Sequence, residues 1–192
     1  MANPNQPTQF AWNGLFAILL LLGGAEFVLR GPVRFAHAAS FNDFISPYIQ
    51  TRAWIAGQDP YSPQNLVRRW PPEAERFDFL TRDLADGTLV LKRGIPTAYP
   101  VSAFVLIAPV AVLPWHVAHP LWLVITVLAF GVAAASLLSV AGLRKPTHRA
   151  LAFLVIALAL APFHTALAAG SIVTVAVAAS AAAVWASSRK RS

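Results

Sequence analysis

Cysteine is absent from the 192 residues, so the chain can build no disulfide, thiolate metal site or cysteine nucleophile. Charge is scarce too: 12% of residues are Asp, Glu, Lys or Arg, against 57% hydrophobic. With a mean hydropathy of +0.58, the chain is too apolar for a water-soluble domain of this size and belongs in a bilayer. The charge that exists is segregated. All eight carboxylates lie between Glu26 and Asp86, and no Asp, Glu, Lys or Arg occurs from Gly94 through Leu143. Apolar spans separated by one polar loop give this pattern. No repeat of solenoid length and no low-complexity linker interrupts it.

A net charge of +7 does not by itself indicate nucleic acid, because the basic residues form no tract interleaved with aromatics. Arg144, Lys145 and Arg149 in a short linker, and Arg189, Lys190 and Arg191 at the end, read instead as cytoplasmic anchors beside spans. The fold class expected is all-α, a polytopic membrane helical bundle with one large outward-facing loop.

Three parts are expected. Residues 1–29 hold the N-terminus and a first span, Phe10 to Leu29, whose only acid is Glu26. Ala36-His37-Ala38 resembles a signal-peptide cleavage box. No Lys or Arg precedes the apolar run, however, and Arg30 and Arg34 separate it from the box, so an uncleaved anchor is expected. Residues 30–98 form the polar loop, with seven of the eight acids and nine of the fifteen Lys and Arg. In it Ser46-Pro47 reads as the N-cap of a short interfacial helix that stops at Gly57, with Tyr48, Ile49, Trp54 and Ile55 on an apolar side. The Asp59-Pro60 pair redirects the chain, and one weak helix or hairpin is expected around Phe77 to Leu91. Residues 99–192 hold a short apolar run, Val101 to Leu113, then spans at Trp115 to Leu143, from Ala150 towards Pro162, and at Ile172 to Ala186. If Val101 to Leu113 dips into the membrane and returns, both basic clusters fall on the cytoplasmic side and the long loop faces outward.

Asp43 is the acid of greatest interest, because it follows the first span and would lie close to the bilayer surface. It can serve as a general base on an acceptor hydroxyl or help position a metal; the competing reading is a helix cap in the box Ser40-x-x-Asp43. Asp59 before Pro60 has a turn-forming alternative. Glu73, Glu75, Asp78, Asp83 and Asp86, interleaved with Arg68, Arg69, Arg76 and Arg82, read as a solvated charged face. His116 and His119 are three apart but have no third ligand nearby, so interfacial polar residues are the better account and no metal is expected. Glu26 and His164 are ionisable groups at or near membrane depth and are candidates for that reason, with snorkelling and a satisfied bundle histidine as their respective alternatives.

One ordered set of residues carries a likeness. It runs from Asn42-Asp43-Phe44 through Tyr48, Ala53 and Gly57-Gln58-Asp59-Pro60-Tyr61 to Tyr99-Pro100, which opens an apolar run ending in Leu113-Pro114, and then to Trp122. This order resembles the N-terminal part of glycosyltransferase family 87, the mannosyltransferase-like, polyprenyl-phosphate-sugar-dependent group of the GT-C fold. The likeness spans roughly Trp12 to Trp185, the front part of such an enzyme. Where that family usually has a second proline after Tyr-Pro, this chain has Val101, and where it has Gly-Gln-x-x-Asn it has Gly170-Ser171-Ile172-Val173-Thr174.

The resemblance implies transfer of a sugar, mannose among the options, from a polyprenyl-phosphate carrier to a hydroxyl acceptor, as a hexosyltransferase of the bacterial inner (plasma) membrane. It implies Asp43 as catalytic base. Arg30, Arg34 and Arg52 are phosphate partners on physical grounds, and Asp59, Tyr61, Tyr99 and His164 complete the candidate substrate-binding set. The polyprenyl-phosphate sugar is the donor, and no further cofactor is implied. Expected partners are membrane lipid, the lipid-linked sugar and a second polytopic chain supplying further C-terminal spans, this chain being read as a truncated, split or decayed relative. The alternatives are a non-catalytic scaffold or partner subunit of such a transferase, and a small transporter or channel subunit.

Overall fold

The structure, a computed structural model, describes residues 6–37, 43–75, 79–82, 88–91, 99–143 and 147–189. It is an all-α membrane protein. A first helix, Gln6–Val28 (α1), passes through a π-helical turn at Leu29–Val33 into Arg34–His37 (α2). Pro32 lies inside that turn; its missing N–H is accommodated by the widened backbone rather than by a break. The helical run therefore continues eight residues beyond Leu29, where the sequence suggests an end, and takes Arg30 and Arg34 with it.

Two helices are long and apolar enough to cross a membrane, Trp12–His37 and Trp115–Val140 (α6). A third crossing exists if His148–Ala159 (α7) and Ala161–Ala169 (α8), bent by 48° at Leu160, count as one broken span. The remaining apolar helices are shorter. Val101–Ala111 (α5) has 11 residues and Val173–Arg189 (α9) has 17, or about 16 and 25 Å at 1.5 Å per residue, against a hydrocarbon core of about 30 Å. Leu21 on α1 and Leu128 on α6 are 74% and 63% exposed, with other large apolar side chains along the same helices. In water such stripes are a liability, whereas in lipid they are the solvated surface.

The chain divides into two compact units. The first comprises residues 1–34, 126–168 and 173–192. In it α1 packs on α7, where Gly23 leaves room for Leu158, and Ala129, Ala133, Ala178 and Ala181 form a small-residue seam between α6 and α9. Close approach through small side chains is how helices pack when lipid supplies no hydrophobic drive. The Trp185 indole donates to Ser139 Oγ across the same pair at 2.9 Å.

The second unit, residues 35–125 and 169–172, holds the polar segment. Its central helix is Ile45–Ile55 (α3), followed by Pro63–Arg68 (α4), a 3-10 turn at Pro72–Ala74 and an antiparallel pair, Leu80–Arg82 (β1) with Leu89–Leu91 (β2), in the register Thr81 opposite Val90. Of the helix and hairpin alternatives for Phe77 to Leu91, the described residues form paired strands; Phe77, Asp78 and residues 83–87 lie outside them. Helix α3 differs from expectation at both its start and its setting. Phe44, not Ser46, is the N-cap, and Pro47 is tolerated at the third helical position because first-turn N–H groups have no intrahelical partner. Nor is α3 a surface helix with one apolar side. Every residue from Ile45 to Thr51, and Ala53, is buried, while Trp54 and Ile55 are exposed apolar side chains.

An aromatic cluster organises this unit. The Phe44 ring stacks on Trp122 at 4.5 Å and on Trp115 at 5.8 Å, Tyr48 meets Trp115 edge-on, and Phe35 stacks on His119 at 4.2 Å. Gly170, with φ +67°, turns the backbone into this cluster. A Cβ there would lie 2.5 Å from Phe35 Cε2 and 3.3 Å from Phe44 Cβ. The buried Trp122 indole donates to the Gly170 carbonyl at 2.8 Å.

Two substitutions test this packing. Gly57 has the same φ of +67° but open space around its Cα, so Gly57→Ala carries only the left-handed backbone cost of about 1–2 kcal/mol. Gly170→Ala adds overpacking of about 1–3 kcal/mol, and its loss in thermal unfolding in micelles should be clearly the larger; equal losses would mean that the corner relaxes freely. Trp122→Phe keeps the ring stack and removes the indole donor, which should cost about 1 kcal/mol, and an unchanged midpoint would show that the bond contributes nothing.

Candidate functional site

Asp43 stands at the head of α3, one residue before the N-cap. Its backbone N–H donates to the Ala169 carbonyl at 2.6 Å, and Phe44, the next residue, is locked in the aromatic cluster. Two segments 126 positions apart in sequence are thereby held together, the start of α3 and the Ala169-Gly170 corner. Because Phe44 occupies the N-cap position, Asp43 does not cap α3 in the way that the box spacing suggests. Ser40, the other half of that box, and Asn42 lie outside the described residues.

The Asp43 carboxyl is half-buried, and burial pushes its pKa above the ordinary carboxylate value. The Tyr99 phenol is raised as well, first by burial and then by the negative charge of Asp43, so the two groups are electrostatic neighbours. Position is passed along a chain of contacts. Asp59 Oδ1 accepts from the Tyr61 N–H at 2.9 Å, and the Tyr61 hydroxyl donates to the Tyr99 carbonyl at 2.9 Å. Asp59 thus forms the turn that its place before Pro60 suggests. Tyr61 fixes the backbone of the residue beside Asp43, so Asp43, Asp59, Tyr61 and Tyr99 form one connected group.

Arg52 sits at the other end of α3. Its Nη1 donates to the Tyr48 hydroxyl at 2.8 Å and to the carbonyls of Leu113 and Ala111 at 3.2 and 3.4 Å, and Tyr48 in turn donates to Leu113 O at 2.8 Å. These carbonyls close the C-terminal end of α5, where unpaired acceptors and the helix dipole favour a cation. Burial raises the Tyr48 phenol even with Arg52 beside it.

The other sequence candidates lie in the first unit or are occupied elsewhere. Arg30 pairs with Glu26 one helical turn away at 3.2 Å, both side chains being open to solvent, and Arg34 is exposed. His164 is buried in α8, whose backbone there packs against Gly31. His119 belongs to the aromatic stack with Phe35 and Trp115, while His116 is exposed. Among the described residues no three His, Asp or Glu groups converge on one point. Glu73 and Glu75 are exposed, in keeping with a solvated face; Arg76, Asp78, Asp83 and Asp86 lie outside the described residues. Sequence reasoning missed the Ala169-Gly170 corner and the buried Trp70. Gly170 is legible as a helix stop after an Ala-rich run, but nothing local names Asp43 as its partner.

Searches of curated proteins and of solved structures find no match to the chain. The family model described as Glycosyltransferase family 87 matches residues 97–192, the second half of the chain. That stretch contains Tyr99-Pro100, Leu113-Pro114, Trp122 and Gly170, whereas Asp43 to Tyr61 precede it. The corner that anchors Asp43 and the tyrosine beside it therefore fall within the matched half, and this chain belongs to glycosyltransferase family 87.

Proposed function

We propose that the chain transfers a sugar from a polyprenyl-phosphate carrier to a hydroxyl acceptor, with Asp43 as general base, at the outer face of a bacterial plasma membrane and on a GT-C-like scaffold. The observation that carries this reading is the half-buried Asp43 carboxylate, its pKa raised by desolvation, held beside Tyr99 in a member of a glycosyltransferase family. A carboxylate with a raised pKa is a better proton acceptor near neutral pH than a free one.

The step runs as follows. Asp43 takes the proton of the acceptor hydroxyl, the oxygen attacks the anomeric carbon, and the bond from that carbon to the phosphate oxygen breaks. Polyprenyl phosphate leaves with the electron pair. In this reading Tyr99 contacts the sugar or acceptor, and Asp59 and Tyr61 act as positioning residues through the backbone of Tyr99, a role supported by their hydrogen bonds.

Asp43→Asn preserves shape and removes the base, so transfer in proteoliposomes, assayed with a panel of polyprenyl-phosphate sugars, should fall by about 10²–10⁴-fold. Retained transfer in a correctly inserted variant would sink the assignment. Stability gives an independent reading. The folded pKa of Asp43 lies above the unfolded value of about 3.9, so its protonated form is favoured by folding. The stability it contributes is fully present below the unfolded pKa and is lost as pH rises through the folded one. Asp43→Asn should then be at least as stable as the native chain at pH 7, with the difference closing below about pH 4. A variant less stable than the native chain at pH 7 would mark Asp43 as structural.

A further inference from the structure

Helix α5 is apolar on both sides. Phe104 and Ile107 are buried on one, while Val101, Val105, Leu106 and Val112 are exposed on the other, Leu106 by 75%. Ser102 is its single polar side chain. A helix that is hydrophobic all round needs an apolar medium on each side. One side has it, because α5 packs on α3 within the second unit. The open side is widened by the last turn of α3. There the exposed Trp54 ring lies 6.4 Å from Phe104, and the exposed Ile55 borders the same depression as Val112.

Both ends of α5 are held by one polar segment. Before its start the Tyr61 hydroxyl donates to the Tyr99 carbonyl at 2.9 Å. Beyond its end the Tyr48 hydroxyl and Arg52 Nη1 donate to the Leu113 carbonyl at 2.8 and 3.2 Å. Tyr48 and Arg52 belong to α3, which has 11 residues, and Tyr61 follows soon after it. So short a helix and turn cannot carry these groups to opposite faces of a membrane. Helix α5 itself has 11 residues, about 16 Å, or roughly half of a hydrocarbon core of about 30 Å. That length reaches into one leaflet and stops.

We propose that the outer face of α5, with Trp54 and Ile55, is inserted into the hydrocarbon of one membrane leaflet, so that α5 enters and leaves on the same side without crossing. The rim of this face identifies its occupant as lipid. Arg52 and Arg69 border Ile55 and Val112, and an apolar strip edged by an indole and guanidinium groups has the composition of the zone between hydrocarbon and headgroups. Indole rings settle in that zone, and Arg stems lie along apolar surface with their charged ends in water. Tyr99 precedes Pro100, the N-cap of α5, and is thereby set at headgroup level. The insertion stands whether or not Asp43 is the base.

The chain has no cysteine, so single labels on the full chain test the proposal. In phosphatidylcholine nanodiscs, nitroxides at Leu106→Cys and Val105→Cys should be several-fold more accessible to oxygen than to an aqueous nickel chelate, at a depth of about 5–10 Å. Gln64→Cys, exposed on α4, should favour nickel. In sealed spheroplasts an impermeant maleimide should reach Val101→Cys, Val112→Cys and Gln64→Cys from the same side. The same depths are expected with Asp43→Asn in the background, which separates insertion from transfer. A Leu106 label as open to nickel as that at Gln64, or Val101 and Val112 labels reached from opposite sides, overturns the proposal. A Leu106 label reached by neither oxygen nor nickel overturns the lipid assignment in favour of a covering protein segment.

Discussion

The polar segment depends on one corner. Gly170 can enter the aromatic cluster only because it has no side chain, and its left-handed backbone directs the Ala169 carbonyl at the Asp43 N–H and its own carbonyl at the Trp122 indole. Phe44 then fills the space against Trp122 and Trp115. Once the head of α3 is pinned there, helical geometry carries Tyr48 and Arg52 to the carbonyls that end α5. The same pinning half-buries Asp43, and that partial desolvation raises its pKa.

What could be read from the sequence follows the range of each signal. Gly57 as a stop, Asp59 as a turn former and Val101 to Leu113 as a short apolar run are local, and the structure has a left-handed Gly57, an Asp59 turn and an 11-residue helix there. Charge segregation was enough to place the chain in a membrane. The Ser-Pro helix-start signal occurs twice, and only its second copy begins a helix. Ser46-Pro47 lies inside α3, while Ser62-Pro63, with Ser62 extended and Pro63 at the first helical position, begins α4. Both pairs satisfy the same local rule; burial of Phe44 in the aromatic cluster decides where α3 starts, and that is a tertiary fact.

Contacts across long sequence distances were not legible. The Asp43 bond to Ala169 spans more than half the chain, and no spacing rule reports it. The charge of Arg52 suggests a phosphate partner, yet part of its donor set closes a helix end. Membership of family 87 adds a chemical class, and the matched half contains the corner and Tyr99 but not Asp43. The candidate site thus joins a segment matched by the family to one identified by its geometry and by the resemblance of its own residues.

The central claim is that the Asp43 carboxylate is the proton acceptor and that its desolvated setting tunes it for that role. It is tested most directly by titrating that carboxyl in the full chain in nanodiscs, using isotope-edited infrared spectroscopy with Asp43→Asn as the subtraction control, alongside the pH dependence of transfer. The account predicts a titration midpoint above the ordinary aspartate value that coincides with the acid limb of the transfer rate. A midpoint at the ordinary value, or an acid limb that ignores it, would contradict the account.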